Sequence, residues 1–334
     1  MVIFTVFAIC FNIILKSQDI QFSQYYSAKF SLAPSFAGTS DGGRGTTIFR
    51  DQWPALKSTY ITYGFAFDYS IPELAGGVGV YALQDNSCEG AMVMTNMGMQ
   101  YSYSLKIKHP WMKQIWYIHP GFQLNTINRK INTDKIIFNS QLTFGEKYNT
   151  NSVIIESDNI SIFESAVSFL LNSETAWFGA NVEHLPLSKK SFSLENYTSP
   201  VKLTSFGGLC LKTIQGRLLY DKYYLYFTYR FKYMKNIKQL DLGGYWTNQT
   251  LSVGLWYRGL PFFKNSMGEF NNTALVTIIG MEFKQYNIGY SFDYSLSKIG
   301  SITGGAHEIS FVWLFNQGED LIKKKYKMVP SPKF

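Results

Sequence analysis

Histidine and cysteine are the residues through which this chain of 334 residues could most readily catalyse a reaction or bind a metal. The four histidines, His109, His119, His184 and His307, stand apart in the sequence, and no nucleophile elbow accompanies them. We therefore expect structural roles for them, with a hydrolase that uses His119 or His184 as the minor alternative. The histidines and cysteines also lack the spacing of a metal site, so the sequence predicts neither an enzyme nor a bound cofactor.

The cysteines leave one question open, because Cys10 lies in the apolar N-terminal run and only Cys88 and Cys210 remain. In an oxidising compartment these two residues can form a disulfide, but two thiols fit the sequence equally well. The glycine-rich stretch from Gly42 to Gly45 lacks the lysine and hydroxyl residue of a phosphate-binding loop, and it predicts a turn.

The chain has a formal net charge of +8, but its basic residues are spread among aromatic segments rather than gathered into a patch. This distribution does not indicate a nucleic-acid partner. The one concentrated basic run, residues 323–327, lies in a stretch from 316 to 334 that we interpret as a solvated basic tail.

Several charged residues lie in the middle of segments in which every second residue is apolar or aromatic. In residues 285–294, large side chains from Tyr286 to Tyr294 hold the even positions, and small or polar ones lie between them. This period of two predicts β-strands with one apolar and one polar face. The charges expected on the polar faces are Asp68, Lys106, Arg230, Lys232, Arg258 and Asp293. We expect them to form a salt-bridge network inside a closed sheet, with a polar channel as the alternative.

Alternating segments of this kind recur along the chain and predict about fourteen strands. They cover residues 44–50, 59–70, 77–84, 91–107, 113–127, 160–171, 175–183, 200–213, 222–233, 236–247, 250–259, 272–283, 285–296 and 306–315. After the apolar N-terminus, no run of roughly 20 apolar residues could cross a membrane as a helix. Long strands, 17% aromatic residues and connections that alternate between short and long instead favour an all-β fold, a single antiparallel transmembrane β-barrel.

The N-terminus predicts export, since residues 1–17 contain an apolar run of signal-peptide length. Residues 18–43 show no clear period, so we interpret them as a periplasmic segment or a plug that precedes a barrel of residues 44–315. If both termini are periplasmic, the longer connections lie outside the cell.

A series of short motifs resembles one known family in its order and spacing, the PorP/SprF family of type IX secretion membrane proteins. The motifs are residues 18–26 (QDIQFSQYY), 32–39 (LAPSFAGT), 50–56 (RDQWPAL), 76–79 (GGVG), 132–138 (NTDKIIF), 177–184 (WFGANVEH), 239–243 (QLDLG), 254–259 (GLWYRG) and 304–310 (GGAHEIS). The resemblance implies a non-catalytic outer-membrane barrel of gliding or secreting Bacteroidota. It also implies type IX secretion subunits, secreted adhesin-type cargo and outer-membrane lipid as partners.

With this role in mind, the segments that do not alternate are the candidate contact surfaces. We expect partner contacts at Gln21, Phe22, Tyr25 and Tyr26, at Gln52, Trp53 and Pro54 in a turn, and in the connection of residues 128–159. The alternative function is a diffusion channel or porin for small solutes, which steady conductance after reconstitution would favour.

Overall fold

The computed structural model describes most of the predicted barrel and the segment before it. The described residues are 20–40, 42–56, 59–108, 114–132, 159–186, 200–212, 223–235, 237–248, 250–264, 270–296, 300–316 and 329. The predicted signal peptide, the basic run at residues 323–327 and most of the predicted contact loop at 128–159 lie outside them.

The described residues form fifteen strands of one antiparallel sheet, which confirms the predicted all-β fold. They are β1 (Gly43–Gln52), β2 (Tyr60–Ile71), β3 (Gly76–Ser87), β4 (Met92–Tyr103), β5 (Leu105–Ile107), β6 (Trp116–Ile131), β7 (Asn159–Asn172), β8 (Ala176–Pro186), β9 (Lys202–Lys212), β10 (Tyr224–Met234), β11 (Ile237–Thr247), β12 (Leu251–Lys264), β13 (Phe270–Phe283), β14 (Tyr286–Ser295) and β15 (Ala306–Phe315).

The sheet closes on itself, because β1 pairs with both β2 and β15, and β4 pairs with β6. The short β5 also pairs with β6, so it continues the line of β4 after a break at Ser104. The wall is therefore a barrel of fourteen strands with one short extra strand, in agreement with the predicted number.

Side-chain burial shows that this barrel is polar inside and apolar outside. On β14, Asn287, Ser291 and Asp293 are 0–4% exposed, whereas Ile288 and Tyr294 are 46% and 49% exposed. A water-soluble sheet buries its apolar face, so the reversed pattern is that of a strand facing lipid. Exposed apolar side chains continue around the wall on the other strands, and they confirm the transmembrane barrel.

The two ends of the barrel differ. The terminal end carries the first residue of β1 and the last of β15, and tight turns join β7 to β8, β11 to β12 and β13 to β14 there. At the opposite, loop end lie the connections between Ile131 and Asn159 and between Pro186 and Lys202. These two long connections lie at one end and the named tight turns at the other, as the predicted alternation of short and long connections requires.

Residues 20–40, which we call the lumen segment, run through the inside of the barrel. The segment contains only a four-residue helix, Lys29–Leu32, and a 3-10 turn, Pro34–Phe36, and most of its side chains are buried. Phe22 and Phe30 pack against Ile48, Tyr81 and Leu83 on one side of the lumen. On the other side the contacts are made by Tyr25, Tyr26, Leu32 and Phe36, which pack against aromatic and aliphatic wall residues that include Trp177, Phe206 and Trp256.

The wall makes room for this segment with glycine. A Cβ atom on Gly121 would lie 2.3 Å from the backbone nitrogen of Ser35, and one on Gly289 would lie 2.2 Å from Oε1 of Gln24. Only glycine allows so close an approach. Among the described residues, no helix is both long and apolar enough to cross a membrane.

The outward direction of the apolar face can be tested with a charge. We expect Ile279→Lys, at a 51% exposed position within β13, to destabilise the barrel in lipid vesicles by about 2–4 kcal/mol, because a lysine would face hydrocarbon. Ile302→Lys is the matched control, since Ile302 is 66% exposed but lies in the connection between β14 and β15. Urea unfolding in vesicles measures both, and equal stability of the two variants would contradict the orientation.

Candidate functional site

The loop half of the lumen contains a cluster of six buried charged residues. Three are arginines and three are acids, so the formal charges balance: Arg50, Arg230, Arg258, Asp241, Asp293 and Glu308. All six are 9% exposed or less, and we call them the lumen charge cluster. Charges removed from water at this depth are stable only when they are paired and hydrogen-bonded.

Strand register brings the first pairs of the cluster together. Arg230 on β10 lies directly opposite Asp241 on β11, and Asp241 lies opposite Arg258 on β12. Arg230 donates to Oδ2 of Asp241 from Nε at 3.1 Å and from Nη2 at 2.7 Å. The same pairing brings Arg50 on β1 opposite Glu308 on β15, where Nη1 lies 3.0 Å from Oε2.

Asp293 joins the two halves of the cluster. Its Oδ2 atom accepts from Nη2 of Arg50 at 2.8 Å and from Nη1 of Arg258 at 2.9 Å. Arg258 is two strands away on β12, where it lies opposite the small, buried Ala274 of β13, whereas Asp293 lies opposite Val276. The small side chain of Ala274 leaves the guanidinium space to cross β13. The cluster therefore ties together an arc of wall from β10 to β1.

The lumen segment completes the cluster with its backbone and its hydroxyl groups. The amides of Ser23 and Gln24 both donate to the carboxylate of Glu308 at 2.8 Å. The hydroxyl of Ser23 donates to Asp293 at 2.7 Å and accepts from Arg50 and Arg258, each at 2.9 Å. Hydrogen bonds to charged groups are the strong ones, so this short stretch is fixed at the centre of the lumen.

Tyr25 occupies a site formed by four wall residues. Its hydroxyl donates to Asp241 at 2.6 Å and accepts from Arg258 at 3.2 Å. The guanidinium of Arg230 lies 3.6 Å from the ring centroid, and Trp256 meets the ring edge-on at 5.1 Å. A tyrosine hydroxyl is protonated at neutral pH, so the group keeps donating to Asp241.

A second ion pair holds the other end of the lumen segment. Nε of Arg44 lies 2.8 Å from Oδ2 of Asp68, and the backbone amide of Gly38 donates to the second oxygen of Asp68 at 3.0 Å. Arg44 also donates to the carbonyl of Phe36 at 3.3 Å. Both ends of the segment are therefore bound to wall charges.

The six predicted lumen charges divide between these sites, with one exception. Arg230, Arg258 and Asp293 belong to the cluster, Asp68 pairs with Arg44, and Lys232 donates to Oε1 of Gln21 at 3.1 Å. The prediction of a buried network charge was wrong for Lys106. This residue lies in the short β5 near the terminal end of the wall and is exposed. It is too far along the strand to join the buried charges.

The predicted partner contacts lie in two different environments. Phe22, Tyr25 and Tyr26 are 2–4% exposed inside the lumen, so a partner could reach them only if the segment moved. Gln21 contacts Lys232 and is half-buried. At the loop end, Gln52 and Trp53 are half-buried and Pro54 is exposed. Partner binding by any of these residues stays a prediction.

Four members of the ion pairs were not predicted from the sequence: Arg44, Arg50, Asp241 and Glu308. A signal for them was present, because Arg44 and Arg50 share the buried even positions of β1 with Thr46 and Ile48. The period of two places charges on the inner face, but it does not give the register that sets these residues opposite one another on neighbouring strands.

The described histidines are held in local hydrogen bonds. The two ring nitrogens of the buried His119 each lie 2.9 Å from a side-chain oxygen, Oγ of Ser104 and Oδ1 of Asn172. His184 contacts Glu164 at 2.6 Å, and the ring of His307 lies 2.8 Å from the hydroxyl of Tyr290. His109 lies outside the described residues.

The question left open about the cysteines is resolved in favour of thiols. Cys88 is exposed, Cys210 is buried, and no disulfide joins them. Among the residues that the structure describes, no three His, Cys, Asp or Glu side chains are grouped so as to hold a metal ion.

We predict that Glu308 contributes more to the free energy of unfolding than an exposed acidic residue does. We expect Glu308→Ala to cost about 3–5 kcal/mol, because it leaves Arg50 and two backbone amides buried with fewer acceptors. Glu73→Ala, in the exposed turn after β2, should change stability by less than about 0.5 kcal/mol. Unfolding in vesicles measures the difference, and comparable losses in both variants would rule out the cluster as a main source of stability.

Several solved structures of membrane barrels are similar to this chain at low sequence identity. The CymD monoaromatic hydrocarbon channel is 10% identical with a TM-score of 0.46, and the match covers 87% of this chain and 94% of that one. The KdgM porin is 7% identical with a TM-score of 0.37, covering 82% and 99%. CdiB from Acinetobacter baumannii is 8% identical with a TM-score of 0.39, covering 82% and 60%. Likeness at this level carries no argument about function.

A family comparison is more informative. No curated protein matches the chain. The model of the type IX secretion system membrane proteins PorP/SprF, however, matches residues 14–313. The match covers the lumen segment, the charge cluster and almost the whole wall. This chain therefore belongs to the PorP/SprF family of type IX secretion system membrane proteins.

Proposed function

We propose that this protein is a non-enzymatic outer-membrane component of the type IX secretion machinery, which docks a secretion subunit or adhesin-type cargo at the end of a closed barrel. The observation that carries the proposal is the filled lumen. The lumen segment packs against both sides of the wall and takes part in the lumen charge cluster. While the lumen segment is in place, a barrel closed in this way offers its ends to other molecules.

The filled lumen is evidence against the alternative function, a diffusion channel. Phe36 of the segment and Trp256, Tyr245 and Phe206 of the wall are all 2% exposed or less. They lie in one continuous apolar cluster that crosses the lumen. Porins instead keep a water-filled passage lined with polar groups.

The loop end offers a surface that suits a protein partner. The connection after β1 is tied to the one before β15 by backbone hydrogen bonds from Trp53 to Gly305 at 2.8 Å and from Ala55 to Thr303 at 3.2 Å. We call these two connections, residues 53–56 and 300–305, the mouth platform. It exposes Pro54, Ala55 and Ile302, and the ring of Trp53 packs edge-on against Tyr60. Apolar side chains exposed outside the lipid-facing wall are typical of contact sites.

The mouth platform is also joined to the lumen charge cluster. Nη2 of Arg50 donates to Oε1 of Gln52 at 3.3 Å, and Gln52 directly precedes Trp53. A partner that binds the platform therefore lies one residue from the end of the cluster. Export, an outer-membrane location and a role in gliding are parts of the proposal that rest on family membership and on the lipid-facing wall.

The first test concerns the closed lumen. We expect the wild-type protein to give no steady conductance in planar bilayers, and Gly121→Leu to conduct, because its side chain would occupy the place of the Ser35 backbone. Gly45→Leu is the matched control, since a Cβ there meets its nearest atom, on Trp313, only at 4.0 Å. Steady conductance of the wild type equal to that of Gly121→Leu would favour the porin alternative.

The second test concerns docking. Deletion of the gene should remove a subset of proteins from the cell surface and medium, as measured by a quantitative census of both fractions. In the complemented strain, Trp53→Ala should weaken partner capture by roughly thirty-fold, the effect of losing an aromatic contact worth about 2 kcal/mol.

Leu74→Ala is the control for the docking test. Leu74 is 48% exposed but lies in the turn between β2 and β3, at the terminal end. It should leave secretion and capture at the wild-type level. An unchanged census after deletion would overturn the proposed function.

A further inference from the structure

The four residues around Tyr25 are linked to one another and to other residues of the wall. We call Arg230, Asp241, Trp256 and Arg258 the tyrosine site. Arg230 and Asp241 form their ion pair across neighbouring strands, and Nη1 of Arg258 is held by Asp293. Trp256 donates from its indole nitrogen to the hydroxyl of Tyr245. These contacts join wall residues to one another and orient the site for its ligand, to which Arg258 also donates hydrogen bonds.

The neighbouring contacts recognise a short stretch of peptide, which turns after Gln24, rather than a single side chain. Glu308 accepts from two successive backbone amides, those of Ser23 and Gln24, and the side-chain amide of Gln24 donates back to the carbonyl of Glu308 at 3.0 Å. The hydroxyl of Ser23 is held by two arginines and one aspartate. Together with the tyrosine site, the wall thus recognises a serine, a backbone and a tyrosine two residues later.

The lumen segment is attached in a way that allows exchange. None of the strand pairings of the barrel includes a residue of the segment. Its connection to β1 contains two glycines with positive φ, Gly38 at 64° and Gly42 at 83°, a conformation that glycine adopts without strain. The segment is therefore held by side-chain and capping contacts, not by a ladder of backbone hydrogen bonds.

We propose that residues 20–28 are an intramolecular ligand of a peptide-binding site in the barrel wall, and that the same site accepts an external peptide with a Ser-x-Tyr sequence in the same turned conformation. The connection to β1 keeps the internal ligand at a high effective concentration, typically millimolar for a short linker. The internal ligand therefore normally occupies the site. The external peptide binds when the internal one is weakened. The inference goes beyond docking at the mouth platform and does not depend on it.

The test uses the full chain in detergent micelles and a labelled peptide of residues 20–28, IQFSQYYSA. In Tyr25→Ala, the internal ligand loses its aromatic contact while the wall is unchanged. We expect this variant to bind the peptide by fluorescence anisotropy and the wild type to bind it at least about ten-fold more weakly. A peptide with phenylalanine in place of Tyr25 should bind the variant roughly ten-fold more weakly, because Asp241 and Arg258 lose their hydroxyl partner.

Three results would overturn the inference. They are no peptide binding by Tyr25→Ala, equal binding of the tyrosine and phenylalanine peptides, and equal binding by the variant and the wild type, which would place the peptide on another surface. Heat-dependent gel mobility checks that the variant is folded. If Tyr25→Ala does not fold, Tyr25→Phe keeps the ring and removes only the hydroxyl, and the same comparisons apply to it.

Discussion

The structure depends on the balance of three guanidinium groups and three carboxylates buried in one lumen. Removing any one of them would leave the buried charges unbalanced in a medium where that is costly. The wall supplies all six charges, but the lumen segment supplies the hydroxyl of Ser23, which donates to Asp293, and two backbone amides, which donate to Glu308. Wall and segment are therefore parts of one hydrogen-bonded unit, and neither is satisfied alone.

This arrangement reverses the usual division between core and surface. The lipid-facing side chains of strands such as β14 remain outside, and the apolar core is made where the lumen segment meets inward aromatic residues such as Trp177 and Trp256. With the segment in place, this core fills the lumen. The connections lie at the two ends, and loops held by a rigid scaffold commonly carry binding residues, so the proposed partner contacts lie there.

The sequence predicted the features that are local. A period of two appears within a single strand, so the strands, the face that meets lipid and the inward direction of Arg230, Arg258 and Asp293 were all predictable. Pairings between residues distant in the chain were not, since Arg50 and Glu308 lie opposite each other on adjacent strands but are 258 residues apart in the sequence. The lumen segment has no period, and only its packing shows that it fills the barrel. Lys106 was misplaced because alternation does not show where a strand leaves the buried part of the lumen.

The location of the lumen segment is the central claim, and a disulfide across the lumen tests it most directly. The hydroxyls of Ser27 and Ser310 lie 3.2 Å apart, so Ser27→Cys with Ser310→Cys, in a protein whose Cys88 and Cys210 are replaced by serine, should cross-link on mild oxidation in membranes. The pair Ser27→Cys with Ser168→Cys should not, because Ser168 contacts Ser35 instead. A near-complete cross-link in the first pair only is the predicted result. Its absence, with both thiols open to reagents, would contradict a segment seated in the lumen.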